Sequence, residues 1–556
     1  MTEKLAPECN SQTGRYERLA KLKAYFDGKQ YDGRADFFTG LRPGQTGTPV
    51  PLRERKPCVI YPLPKAATNQ AVRFLFGKGR FPTFKVAPLA PADAISAKLG
   101  LSDQEAEMLS TSINNLVSQA GVPHVSRNVA RNGISCCTGV VVVMVRDGKF
   151  SFDVPYAKDC VPTFSATNPG VLEEMTICYR FEKQVVEHGK PVYRPHYYRR
   201  DITAREYVTY RDAPAPRHGE KIDWEKFKER VDEHGLDVCP VVWTPNLREF
   251  DGDPDGCGIF EGLEDEFDAL NFTLSQRHRG IHYHGTPQMY ETGVAEDDGP
   301  GANGRSSAAL ETSTSAETGQ VTFRRATPEA SGSARKMAPD QIWSYEGENV
   351  NLGIMETTGA SFEAATKHVI DIRSRLLEAM DVVMMDPSVI AGSSELSARA
   401  LEHLHAPLLS MVDELRDCWW TLHLEPVIQL MLRYIASDKG ENLLYPHVGA
   451  MRAVLTRMFV SVGDGPTLPK DMKIRWVGPV VTPIWGNYFS PSNEEIVSVV
   501  NAAATASSNI VQLSTATRLV APYMAIDDIE AEVEAVKLER KEQLQQEMQI
   551  AIQGAH

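Results

Sequence analysis

The chain has 556 residues, 42% hydrophobic and 24% charged, which is ordinary globular composition over a length that holds several domains. Collagen-like, disordered and disulfide-scaffold classes are excluded. Lys and Arg number 59 against 73 Asp and Glu, a formal net charge of −14, so no long-range field draws DNA to the outer surface and any contact with nucleic acid has to be local.

No apolar run approaches the ~20 residues of a membrane helix, and the opening MTEKLAPECN lacks a signal peptide's apolar stretch, so the expectation is a chain that stays in a cytoplasm. Nine cysteines are too sparse for a disulfide framework, and their odd number fits reduced thiols.

Along the first part of the chain, residues 15–26, 64–77 and 102–121 carry helical spacing. Short β-branched or aromatic segments follow at 140–146, 151–154, 175–181, 192–198 and 205–210, separated by Gly, Pro, Asp and Asn. GVVVVMV at 139–145 reads as a buried strand. Together these predict an α+β region with an antiparallel sheet.

Beyond a turn-rich stretch at 248–258, Phe260, Leu263, Phe267, Leu270 and Leu274 repeat at helical spacing. Acidic residues load the first half of this helix, while Arg277, His278 and Arg279 load its end, complementing the dipole. A second amphipathic helix is predicted over 361–383, with Phe362, Ala365, Val369, Ile372, Leu376, Met380 and Val383 on one stripe. On its other face Glu363/Lys367, Lys367/Asp371 and Asp371/Arg375 are spaced for ion pairs worth a few tenths of a kcal/mol each.

Between the two helices lie strand-like TPQMYETG and VTFRR within a Gly, Ser, Ala and Thr-rich excursion that cannot order itself alone. After the second helix, MMDPSVIAGSS breaks the pattern at Pro387 and Gly392. A long helix over 396–436 follows, expected to kink at Pro407 and Pro426. KIRWVGPVV at 473–481 reads as a strand and 493–553 as helical, ending in an acid, base and Gln-rich tail.

Motifs for chemistry are sparse. No phosphate-cradling loop, dinucleotide fingerprint or nucleophile elbow occurs. Asp251, Asp253, Asp255 and Gly256 begin like a calcium loop, but the twelfth position is Gly262 where a bidentate glutamate is needed; a turn before the acidic helix is the simpler role. His278, His282 and His284 lack a carboxylate or cysteine at ligand spacing, and His403 and His405 point in different directions on a helix. A metal-dependent hydrolase or nuclease built from Asp251, Asp253, Asp255, His278 and His282 is the alternative reading. A capsid or adaptor protein that assembles without a central hole is a third.

Two helices bracketing a pliable insert, then a Pro/Gly loop, then GSSELSARAL leading into a long kinked helix, resemble the portal proteins of tailed bacteriophages over nearly the whole chain. The resemblance implies a wing at 1–258, a first stem helix at 259–280, a clip at 281–353 and a second stem helix at 354–383. A tunnel loop would span 384–394, the long helix and the rest of the wing 395–489, and a helical crown with its tail 490–556.

It further implies a homo-oligomeric ring, usually dodecameric, at one capsid vertex of the virion, assembled in the host cytoplasm. Double-stranded DNA would pass through it without sequence readout during packaging and ejection. Its partners would be the terminase large subunit, capsid or scaffolding protein and a head–tail adaptor, with no membrane, no cofactor, no metal and no catalysis of its own.

Under that resemblance Arg277, Arg279, Lys367, Arg373 and Arg375 become candidates for charges near the bore or between neighbours, and Met384, Met385, Val389 and Ile390 for the lining of the tunnel loop. A ring multiplies each cation into a belt around the duplex, and an otherwise negative bore lets phosphates slide.

Overall fold

The computed structural model describes residues 13–42, 44–88, 100–168, 170–187, 190–216, 222–247, 253–284, 288–292, 310–314, 321–325, 351–355, 360–384, 402–461, 474–476, 478–489, 501, 533–539 and 541. The fold is α+β and divides into two compact units. The first comprises residues 1–30, 62–261 and 377–556; the second comprises 31–61 and 262–376.

In the first unit, β2 (Thr138–Arg146) is the middle of three antiparallel strands, between β10 (Val241–Pro245) and β3 (Lys149–Asp153). Val140, Val141, Val142 and Val143 are fully buried, because a central strand covered on both faces selects a continuous apolar run rather than alternation. A larger antiparallel sheet runs β4 (Cys160–Phe164), β5 (Leu172–Glu187), β6 (Lys190–Thr203), β7 (Glu206–Tyr210) and β9 (Lys228–Glu233), with the short β8 (Ala213–Pro214) on β6. The Tyr207 hydroxyl lies 2.9 Å from the Val143 carbonyl and 2.8 Å from the Tyr434 hydroxyl, tying this sheet to β2 and to a helix late in the chain.

Around these sheets lie α1 (Thr13–Asp27), α2 (Leu63–Phe76), α3 (Asp103–Gln119) and α4 (Val122–Cys136). Ser102 caps α3 in a reciprocal capping box with Glu105. α4 has no counterpart among the predicted helices: it starts straight after Gly121, which takes a left-handed φ of 73°, and carries Pro123 in its first turn, where proline is tolerated. β1 (Thr83–Val86) pairs with β17 (Val481–Ile484).

The long helix expected over 396–436, of which 396–401 lie outside the described residues, is interrupted at His405 and then stays helical from 406 to 436 through a π turn. α7 (Ala406–Trp419) begins with Pro407 in its first turn, a π-helical turn occupies Trp420–Leu424, and α8 (Glu425–Ala436) carries Pro426 in its own first turn. The extra residue of a π turn shifts the apolar phase. Leu408, Met411, Leu415 and Trp419 are buried as the spacing predicts, Leu422 falls half out, and Leu424, Val427, Ile428 and Met431 take over.

The Trp419 indole is admitted by two glycines: a Cβ on Gly133 of α4 would come 2.7 Å from the ring, and one on Gly139 of β2 within 2.9 Å. The short helix α9 (Val448–Leu455) follows. The single strand expected at 473–481 is two: β16 (Ile474–Trp476) pairs with β15 (Phe459–Ser461), and Gly478, at φ 69°, separates it from β17. Of the C-terminal segment expected to be helical, only 501, 533–539 and 541 are described, all helical.

In the second unit the first rod, α5, runs Glu264–His284, later than the expected 259–280 at both ends. Gly262 at φ 83° stops the helix from starting earlier. Arg277 and Arg279 therefore lie inside the helix rather than in its last turn. Strands β11 (Gln288–Thr292) and β14 (Asn351–Met355) pair antiparallel, Gln288 opposite Met355. Between them β12 (Leu310–Thr314) pairs with β13 (Val321–Arg325). The second rod, α6, runs Ala360–Ala379, shorter than the expected 361–383 at its C-terminal end, where Asp381 has φ 51°. Among the described residues no helix is long and apolar enough to cross a membrane.

Candidate functional site

The two rods and their junction with the strands are the candidate site, because the chain leaves α5 almost directly into β11 and returns from β14 almost directly into α6. The rods approach each other at this junction: a Cβ on Gly280 would come 3.1 Å from Cε1 of Phe362, so a larger residue there would require the aromatic ring to shift by a few tenths of an ångström.

Each rod is buried unevenly along its length. On α5, Phe267 and Leu270 are buried, Leu274 is half-buried and Ile281 is 53% exposed. On α6, Ile372 and Leu376 are buried, as is Met380 just past its end, whereas Phe362, Ala365 and Val369 are half-buried and Ile370 is 56% exposed. The apolar stripe is thus covered away from the strands and only partly covered beside them.

One face of α5 is held by a strap that its sequence pattern conceals, since the residues concerned are polar. Asp268, Asn271 and Ser275 recur at helical spacing on that face. The Tyr61 N–H donates to Asn271 Oδ1 at 2.8 Å, the Val59 N–H donates to Ser275 Oγ at 3.0 Å, and the Tyr31 hydroxyl donates to Asp268 Oδ1 at 2.6 Å. Asn271 Nδ2 donates back to the Tyr31 hydroxyl at 3.1 Å. Arg55 organises the rest of the strap by donating to the carbonyls of Phe37, Phe38 and Val50.

The candidate bore charges lie on both rods. Arg277 is half-buried; Arg279 is half-buried and engaged with a partner. Lys367 and Arg375 are exposed two turns apart on one face of α6, and half-buried Arg373 lies on the other side. The expected intrahelical pairs are absent: among the described residues neither Glu363 nor Asp371 comes within 4.0 Å of Lys367 or Arg375. Met384 is half-buried, one residue past Val383, whose carbonyl accepts from Gln70 of α2. Met385, Val389 and Ile390 lie outside the described residues.

The aspartates of the calcium-like stretch are engaged elsewhere. Asp255, fully buried, accepts from Arg15 and from the Thr138 hydroxyl at 2.7 Å. Asp253 accepts from Arg18 at 3.0 Å and from the Asp255 N–H, closing a tight turn. Arg18 also pairs with Glu261 at 2.6 Å and donates to the Gly256 carbonyl.

Burial works against the Glu261 carboxylate, but hydrogen bonds from Arg18, the Gly258 N–H and the Cys137 thiol hold it below the usual range. The same pairing raises the Arg18 guanidinium, and burial beside Glu261 pushes the Cys137 thiol up. Sequence reasoning placed Asp253 and Asp255 in a turn and Glu261 in the first half of the helix, which instead starts at Glu264, and missed their partners on α1, for which no local signal exists.

Asp251 and the His282 side chain lie outside the described residues, and His278 is exposed. Among the described residues no group of three or more His, Cys, Asp or Glu side chains is placed to hold a metal. No protein-family model matches the chain, and no curated protein matches its sequence.

Proposed function

We propose that the protein is a ring-forming portal of a tailed phage, and that it passes double-stranded DNA through a central channel while docking a packaging ATPase and later a head-completion protein. The observation that carries this reading is the uneven burial of α5 and α6. Rods whose apolar stripes are covered at one end and half-bare toward their strands need further cover there, and copies of the same chain side by side supply it.

In this arrangement the strands β11 to β14 form the clip. The exposed Lys367 and Arg375 repeat around the bore as belts that hold the duplex off the wall without gripping one sequence. Met384 begins the loop that narrows the channel. A nuclease built on the aspartates is disfavoured because Asp253 and Asp255 already neutralise arginines, and stripping those partners would leave buried guanidinium charge.

The test is the mass and shape of the purified full-length protein. Light scattering after size exclusion should give a large discrete oligomer, and negative-stain images should show a ring with an axial hole. A monomer or dimer, or a large assembly without a hole, would sink the proposal.

A further inference from the structure

Charge in the first unit is segregated. Residues 62–88 contain five Lys or Arg and no Asp or Glu, and residues 108–146 contain three Lys or Arg and again none. At the chain's own frequency of acids, stretches of this combined length would hold about nine. Four of these eight cations, Lys65, Arg73, Arg127 and Arg131, lie on α2 and α4, which pack against each other.

Lys65, Asn69 and Arg73 recur every fourth residue along α2, and His124, Asn128 and Arg131 form a matching row on α4 with Arg127 beside it. Hydrogen bonds join the rows: Arg131 donates to Asn69 Oδ1 at 3.1 Å and to Asn128 Oδ1 at 3.0 Å, and Asn128 lies 3.3 Å from the His124 ring.

Some arginines of this unit are matched, such as Arg199 with Asp201 at 2.9 Å and Arg200 with Asp153 at 2.8 Å. Among the described residues Lys65, Arg73 and Arg127 have no carboxylate within 4.0 Å. Lys65 and Arg73 are exposed and Arg127 half-exposed.

We infer that this face of α2 and α4 is a second nucleic-acid surface that binds the phosphate backbone of duplex DNA without reading sequence. Two features favour a nucleic acid over an acidic protein. No large apolar side chain of α2 or α4 is exposed, whereas a protein interface has an apolar centre. The donors are amides, imidazole, lysine and arginine, the set that contacts phosphate. Lys65 and Arg73 stand about 12 Å apart along the helix, comparable to the width of the major groove, so one helix reaches phosphates on both strands.

The inference does not rest on the channel proposal, and one experiment separates the two. Binding of a short fluorescent duplex to the full-length protein is measured by anisotropy across a salt series for wild type, K65E/R73E/R127E, the neutral K65Q/R73Q/R127Q, and K367E/R375E. The acidic triple variant should lose affinity by about tenfold per removed contact at 0.1 M salt, with a shallower salt slope, and the neutral variant should show the same loss to a smaller degree while keeping the wild-type circular dichroism.

Wild-type affinity in the neutral variant, or equal competition by poly-glutamate, would overturn the inference. Loss confined to K367E/R375E would also overturn it while leaving the channel reading intact. Loss in the α2/α4 variants of a protein that proves monomeric would uphold it and remove the channel.

Discussion

Arg15 and Arg18 on α1 and Lys367 and Arg375 on α6 make opposite arrangements from the same kind of charge. The α1 arginines are surrounded by Asp253, Asp255 and Glu261, carboxylates more than two hundred residues away in sequence. The α6 cations have Glu363 and Asp371 one helical turn away and pair with neither. An exposed pair at that spacing gains a few tenths of a kcal/mol, which the entropy of fixing two long side chains offsets. Asp255, fully buried against Thr138 of β2, has no such freedom, so the guanidinium that reaches it stays. Burial, rather than spacing, decides which charges are structural and which remain available.

The largest effect that would break this contrast is at Asp255. Asp255→Ala leaves the Arg15 guanidinium without its buried partner, and such a loss costs on the order of 3–5 kcal/mol, read as a drop in the urea midpoint of the full chain. Arg15→Ala should cost a similar amount, and the double variant less than the sum, because both remove one interaction. If either single variant behaved like a surface substitution, the hub would not anchor the turn ahead of α5.

A buried titratable group with no charged partner sharpens the same point. His423, in the π turn, is fully buried, its Nε2 lies 3.1 Å from the Ser126 hydroxyl, and burial pushes its pKa down to about 3. In the unfolded chain an imidazole titrates near 6.5. As pH falls from there toward 3, only the unfolded state takes up the proton, so folding weakens by up to about 1.4 kcal/mol per pH unit; above 6.5 this group contributes no slope. Denaturant titrations across that range should show a smaller acid-side slope in His423→Leu. Parallel curves would mean that water reaches the ring in the native state.

How much of this was legible in the sequence follows from where each element draws its information. The β2 strand was readable because four buried valines in a row have few other solutions, and α2, α3 and the stripe of α6 because their periodicity is intact. The register change at Trp420–Leu424 was not, since a single inserted residue disturbs the period only after it has occurred. The strap on α5 was hidden because Asn271 and Ser275 put polar atoms on a buried face. Phe260 and Leu263 kept helical phase through a segment that Gly262 and the Glu261 contacts hold out of helix. At the candidate site the rods were legible from their pattern, but whether Lys367 and Arg375 pair could not be decided by spacing alone.

The smallest expected effect on stability is the most informative about function. Replacing Lys367 and Arg375 together by Ala removes exposed charge that has no ionic partner, so the unfolding free energy should change by no more than about 0.5 kcal/mol per site and the oligomer should keep its size. In a ring the same change deletes two belts facing the duplex, and retention of DNA should fall and become less sensitive to salt, since each lost phosphate contact lowers the salt exponent by about 0.9. Loss of the oligomer with retained monomer stability would place the two residues between neighbouring copies instead, where their charge would bridge subunits. No change in either property would mean that this face of α6 meets solvent alone, and the belts would have to come from elsewhere on the rods.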